Sequence, residues 1–335
     1  MRMLTVSVAG RVYNYDYCVG KVGLTGPSFY TPQDFALGAG GNLYVVNKGN
    51  EGFGGMGVNK CTLDHQVLWE DRGFSYCGGQ YHWPSSVDVD RTETVYVSDE
   101  YEANILIYDS DGAFLGRWGT KGSGDGELNG PSGIAFDRED NLYVVDSLNH
   151  RVQKFTKEGK LLAKWGSQGS GHGQFDMPWG ISIDKRGDVY VADWRNGRVQ
   201  KLTPDGEHLT TFGSRGRDDG KLWGPSGVAI DDEGDVYVTD WGNDRLNIYA
   251  PDGTFITAFT GDADELSPWA QDTVDSSPDY VKARKRVDLT PERWFKRPTA
   301  VNVDEEGRIM VLDSVRGRIQ IYVKERNFVD AQFNL

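Results

Sequence analysis

The chain has 335 residues, a formal net charge of −14 and an isoelectric point near 4.8. Such a surface repels phosphate backbones and anionic headgroups, so neither nucleic acid nor membrane is expected as a partner. Hydrophobic residues make up 38 % and glycine 43 residues, a balance that favours tight turns and short strands over long helices.

The N-terminal MRMLTVSVAGRVYNYDYCVG has no apolar core of signal-peptide length, and no stretch of the chain is long and apolar enough to span a membrane. A cytoplasmic protein is the expectation, with a mature secreted form left open. Val12–Tyr17 alternates tyrosine with polar residues and reads as an outer strand. Cys18, Cys61 and Cys77 are odd in number and form no CxxC pair, so free thiols are expected in preference to a disulfide or thiolate zinc site.

From residue 32 onward one pattern recurs. A proline opens an apolar strand at Pro32, Pro84, Pro131, Pro178, Pro225 and Pro298. A second strand ends at Asn47, Asp99, Asp146, Asp193, Asp240 and Asp313, always 15 positions later. The steps between prolines are 52, 47, 47, 47 and 73. Within the third unit, Gly133–Asp137, Leu142–Asp146, Arg151–Phe155 and Leu161–Trp165 read as four strands separated by turn chemistry. Four short strands per unit, repeated radially, make an all-β, six-bladed β-propeller over residues 1–335. Val12–Tyr17 and Phe328–Phe333 both look like outer strands, and either could close the ring.

PSGIAFDREDNLYVVDSLNHRVQKF, from Pro131 to Phe155, resembles the NHL repeat, and PWGISIDKRGDVYVADWRNGRVQKL resembles it nearly as well. Blade five is close, blades two and six are weaker, and blade one diverges most. The resemblance implies the propeller fold but no single activity, because such propellers bind protein, bind RNA or catalyse. Peptidyl-amidoglycolate lyases, which resemble NHL propellers, place zinc histidines directly after the blade-opening proline. Here Gln33, Ser85, Ser132, Trp179, Ser226 and Thr299 stand there, so that zinc site is absent. His150, inside the repeat signature with Asn149, is expected to serve the turn.

Departures from the repeat mark the candidates for function. Asp146, Asp193, Asp240 and Asp313 each have an arginine five residues later, and a charged hydrogen bond across the turn is expected. Asp99 has Asn104 there instead, so its acid lacks that partner. Asp34 stands where other blades carry Ser86, Gly133, Gly180, Gly227 and Ala300. His82 precedes the proline of blade two, Glu100 follows Asp99, and Lys48 follows Asn47. These positions fall on the two loop sets that share one propeller face. Asp34, His82, Asp99 and Glu100 are therefore candidate catalytic residues. Asp34, His82 and Asp99 are candidate ligands for a divalent metal such as calcium. On this reading alanine at Asp99 or His82 abolishes binding and leaves melting nearly unchanged.

The same face carries Trp179, Trp194, Trp223 and Trp241, with Arg195 beside Trp194; with Lys48 these are candidate ligand-binding residues. Trp118 and Trp165 fall at equivalent fourth-strand positions and are expected to pack blades. The 73-residue step places an insertion at about 261–296, a candidate lid on that face. Ser277-Pro278 opens a helix through Arg286, with the basic run Lys282, Arg284, Lys285 and Arg286 on a solvated face, and Thr290-Pro291 opens a further turn. Two functions follow. One is a stand-alone propeller whose mouth binds a small molecule or a partner protein. The other is a metal-assisted hydrolase or lyase working at blades one and two, and the sequence leaves both open.

Overall fold

A computed structural model describes residues 5–24, 26–49, 55–71 and 81–325. Six antiparallel sheets stand around a central channel, each running from an inner to an outer strand. The inner strands are Pro32–Leu37, Pro84–Val89, Pro131–Phe136, Pro178–Ile183, Pro225–Ile230 and Pro298–Val303. Proline suits the first position because it has no N–H to leave unpaired there. The 15-residue spacing is the register of the first hairpin: Pro32 lies opposite Asn47, Pro131 opposite Asp146, and the other four prolines opposite their acids.

The N-terminus closes the ring. Arg11–Val19 pairs with Arg318–Lys324 as the fourth strand of blade six. Thr5–Val8 then adds a fifth strand outside it. The alternative closing segment, Phe328–Phe333, lies outside the described residues.

Neighbouring blades bury their faces against each other, as repeat units must. Tyr143, Val145 and Val152 of blade three meet Val189, Val191 and Leu202 of blade four around Phe175. Phe175 belongs to a sixfold series three residues before each proline: Phe29, Tyr81, Leu128, Phe175, Leu222 and Phe295. All six are buried. Each folds the incoming loop down between two blades, which fixes where the following inner strand begins. Trp118 of blade two packs on Phe155 of blade three with ring centroids 4.9 Å apart, and Trp165 of blade three packs on the cluster that holds Val189, Val191 and Leu202 of blade four. The fourth-strand tryptophans thus seal blade against blade. Near the axis the inner strands converge, and a Cβ on Gly133 would lie 2.5 Å from the Trp179 carbonyl. That crowding explains the small residue at this position.

The insertion holds two helices, α1 (Pro268–Asp275) and α2 (Pro278–Arg284), and a 3-10 turn at Thr290–Glu292. Ser267 caps α1 by accepting the Ala270 N–H at 3.2 Å. Ser277 makes no such bond to α2, which ends at Arg284 instead of Arg286. Trp269 of α1 is buried against Phe29 and donates to the His65 carbonyl at 2.8 Å. Ser267 donates to Gly20 O and Lys21 to Thr273. These contacts hold α1 against the rim where blades six and one meet. Cys18 and Cys61 are buried free thiols, and Cys77 lies outside the described residues. Among the described residues no helix is long and apolar enough to cross a membrane.

Candidate functional site

The acid that ends each second strand has a task the sequence did not reveal. In every blade its carboxylate or amide oxygen accepts the backbone N–H of the residue 17 positions earlier. Asn47 takes Tyr30, Asp99 takes His82, and Asp146 takes Asn129. Asp193, Asp240 and Asp313 take Asp176, Trp223 and Lys296. The acid thus pins the loop that delivers the next inner strand. The arginine is a second partner, 2.7 Å from Asp146, 2.9 Å from Asp193 and 3.1 Å from Asp313. In blade five Arg245 stands farther off, at 3.7 Å.

Asp99 is therefore not idle. It is 0 % exposed and accepts N–H bonds from His82 at 2.6 Å, Trp83 at 3.2 Å, Tyr101 at 3.1 Å and Glu102 at 3.0 Å. Four backbone amides satisfy it where other blades use arginine. His150 is likewise structural. It sits at a left-handed turn position, φ 54°, shared with Ala103, Gly197, Asp244 and Gly317. Its Nδ1 accepts the Met177 N–H, and Asn149 binds Asp146.

The remaining blade-one and blade-two candidates do not converge. His82 Nδ1 lies 2.5 Å from Glu102 Oε1, with its ring on Tyr101. Lys48 pairs with Glu100 at 3.1 Å and lies over the Trp83 ring. Asp34 points into the channel and accepts from the Ser86 hydroxyl and the Phe35 N–H. Among the described residues Asp34, His82 and Asp99 form no metal-binding group. The one acidic group of three among the described residues is Asp231, Glu233 and Asp235. Lys324 occupies it, with its ammonium 2.6–2.7 Å from all three carboxylates. The proposed metal and catalytic set therefore separates into a buried loop anchor, a surface ion pair and a channel carboxylate.

The tryptophans behave differently. Trp179, Trp194 and Trp241 converge with Gln33, Ser226 and Thr299 around a cavity of about 240 Å³ at the channel mouth. Trp194 and Trp241 reach it because each directly follows a pinned acid, Asp193 or Asp240. Gly224 leaves room for the Trp194 indole, since a Cβ there would come within 2.6 Å of Nε1. Trp223 instead faces outward, 41 % exposed and flanked by Arg215 and Arg217. Arg195 is exposed and does not line the cavity. Arg297 stacks on Trp241 at 4.7 Å, but no residue of 261–296 lines the mouth.

Gln33 and Trp179 are the two breaks in a belt of hydroxyls that ties inner strands together at the mouth. Ser85 donates to Pro131 O, Ser132 to Trp179 O, Ser226 to Pro298 O and Thr299 to Pro32 O. The breaks fall in blades one and four, on opposite walls, and both line the cavity.

Below the mouth a second cavity of about 210 Å³ continues down the channel and shares Gln33, Trp179, Ser226 and Thr299 with it. Its polar lining includes Asp34, Ser86, Asp88, Ser182 and Asn302. Burial pushes the Asp34 carboxyl up to about 7, opposed by the Ser86 hydroxyl and two backbone amides and reinforced by Asp88. Burial raises Asp88 to about 6 against the amides of Phe136 and Val89.

The NHL repeat family matches residues 128–155, 175–202 and 222–249. These spans run from the loop plug to the third strand of blades three, four and five. Among solved structures, a protein of unknown function from Bacteroides thetaiotaomicron is 19 % identical, with TM-score 0.65 over 94 % of this chain and 76 % of its own. An auxiliary nutrient binding protein from Bacteroides ovatus is 13 % identical, with TM-score 0.61 over 94 % and 77 %. Virginiamycin B lyase from Staphylococcus aureus is 13 % identical, with TM-score 0.57 over 93 % and 99 %. Such identities show the fold alone. No curated protein matches the chain in sequence. The chain therefore carries NHL repeats in blades three, four and five of a closed six-bladed β-propeller.

Proposed function

We propose that this propeller binds a small molecule at the mouth of its central channel, with Trp179, Trp194 and Trp241 as the recognition surface. The observation that carries the reading is their convergence, from two adjacent blades, on one cavity that opens into the channel. Three indoles left half-buried around a void are costly unless a ligand completes their contacts, and each stacked ring contributes about 0.5–1.5 kcal/mol beyond area burial. Gln33 on the facing wall and Thr299 of blade six offer the few polar contacts that orient a ligand in an aromatic pocket. Neither α1 nor α2 contributes a residue to the lining of this mouth, which leaves it open to solvent-borne ligands.

The test is a small-molecule library screened by ligand-observed NMR against the full chain. Compounds that bind the wild type should weaken at least about tenfold with Trp194→Ala or Trp241→Ala. They should bind Arg195→Ala unchanged, because that side chain lies on the same face but outside the cavity. Equal binding to all four proteins would remove the mouth as the site.

A further inference from the structure

We infer that the ligand of this mouth is an organic ammonium, its flat apolar part held by the three tryptophans and its charge carried down the channel to Asp34. The inference rests on the mouth reading above and adds the chemical class of the ligand.

The first argument is the arrangement of the walls. Trp179, Trp194 and Trp241 belong to blades four and five. Asp34 and Asp88 belong to blades one and two, across the ring. One continuous space therefore has an aromatic side above and an acidic side below. A molecule that fills it meets both, and an aryl or otherwise flat group on a short aminoalkyl chain has that polarity.

The second argument is what these two acids lack. Acids in the turn between first and second strands face cations: Asp137 meets Lys154, Asp184 meets Lys201, Asp235 meets Lys324 and Arg11, and Asp304 meets Arg308. Asp34 and Asp88 make no ion pair among the described residues; hydroxyl and amide N–H groups are their only partners. No lysine, arginine or histidine lines either cavity. A carboxylate enclosed by a channel without a counter-charge favours the arrival of one. An anionic ligand meets the opposite field, reinforced by the net charge of −14.

The third argument is the site of Asp34 in the repeat. The other blades place serine, glycine or alanine at this position, where crowding near the axis disfavours a larger side chain. All six equivalent positions border the space beneath the tryptophans, and blade one alone places a carboxylate there.

Isothermal titration of the full-length wild type at pH 8 compares three shapes of nearly equal size: 2-phenylethylamine, 2-phenylethanol and 3-phenylpropionate. Homologues with one and two further methylenes cover the depth of the channel. The amine should bind about tenfold more tightly than the alcohol, as a charge-assisted hydrogen bond provides, and the carboxylate least of all. In Asp34→Asn, whose amide still accepts from Ser86, the amine should fall to the affinity of the alcohol while the alcohol holds. If amine and alcohol bind the wild type alike, the ammonium claim fails and the aromatic mouth stands. If Asp34→Asn keeps the preference for the amine, the assigned carboxylate is wrong and the claim fails with it. If none of the series binds at millimolar concentration, both this inference and the mouth reading are overturned. The wild-type comparison decides the matter even if the variant does not fold.

Discussion

Asp34 shows how a single side chain couples the channel to pH. Its carboxyl is held protonated up to about 7 because burial disfavours the charge and the one titratable neighbour acting on it, Asp88, is also an acid. A folded-state value raised above the unfolded one near 4 stabilises the protein fully at low pH. That stability is lost as pH rises through 7. Between pH 5 and 8 the wild type should lose roughly 2–3 kcal/mol relative to Asp34→Asn, measured as the difference in denaturant stability between the two proteins. A flat difference across that range would mean the carboxyl is ionised throughout. Asp99 supports the opposite kind of statement. The sequence suggested that alanine there removes binding at little cost in stability. Its carboxylate instead satisfies four backbone amides. Asp99→Ala should therefore cost about 2–4 kcal/mol in urea unfolding, since buried donors lose their acceptor. Retention of wild-type stability would contradict the pinning role.

At the scale of elements, the proline-to-acid spacing was legible because it is the register of a hairpin, and register is written in side chains. The pinning of the loop 17 residues upstream was not. It uses backbone N–H groups, so Tyr30, His82, Asn129, Asp176, Trp223 and Lys296 can all occupy the position and no residue type repeats. The plug three residues before each proline could have been read, since all six are large and apolar. The hydroxyl belt was readable too. Its two exceptions, Gln33 and Trp179, point straight at the mouth. The helix α1 was missed although Ser267-Pro268 carries the same start signal as Ser277-Pro278. Only Ser267 makes the cap bond, because the Gly20 carbonyl also holds its hydroxyl in place. Trp269 fastens that helix to the seam between blades six and one. Trp269→Ala should destabilise by about 3 kcal/mol and speed proteolytic cleavage within 265–290. Unchanged cleavage would mean that the insertion is held by its other contacts.

For the whole molecule, symmetry explains both the fold and its exceptions. Blades two to five keep the 47-residue period and blades four and five present the mouth tryptophans, while blades one and two present the channel acids. The fold was legible because a ring needs the same solution six times. The site was half legible: the tryptophans were found as departures, but which of them converge depends on blade geometry that spacing does not encode. Closure also belongs to this scale. Tyr13, Tyr15, Cys18 and Val19 are buried by the pairing of Arg11–Val19 with the last described strand. A chain lacking residues 1–20 should lose its single cooperative unfolding transition in calorimetry, because an open propeller leaves an unpaired edge and an uncovered blade face. The most direct test of the central claim is a crystal of the full chain soaked with aromatic fragments. The account predicts density between Trp179, Trp194 and Trp241, reaching toward Asp34 for cationic fragments. Fragments gathered elsewhere, with that cavity holding only water, would contradict it.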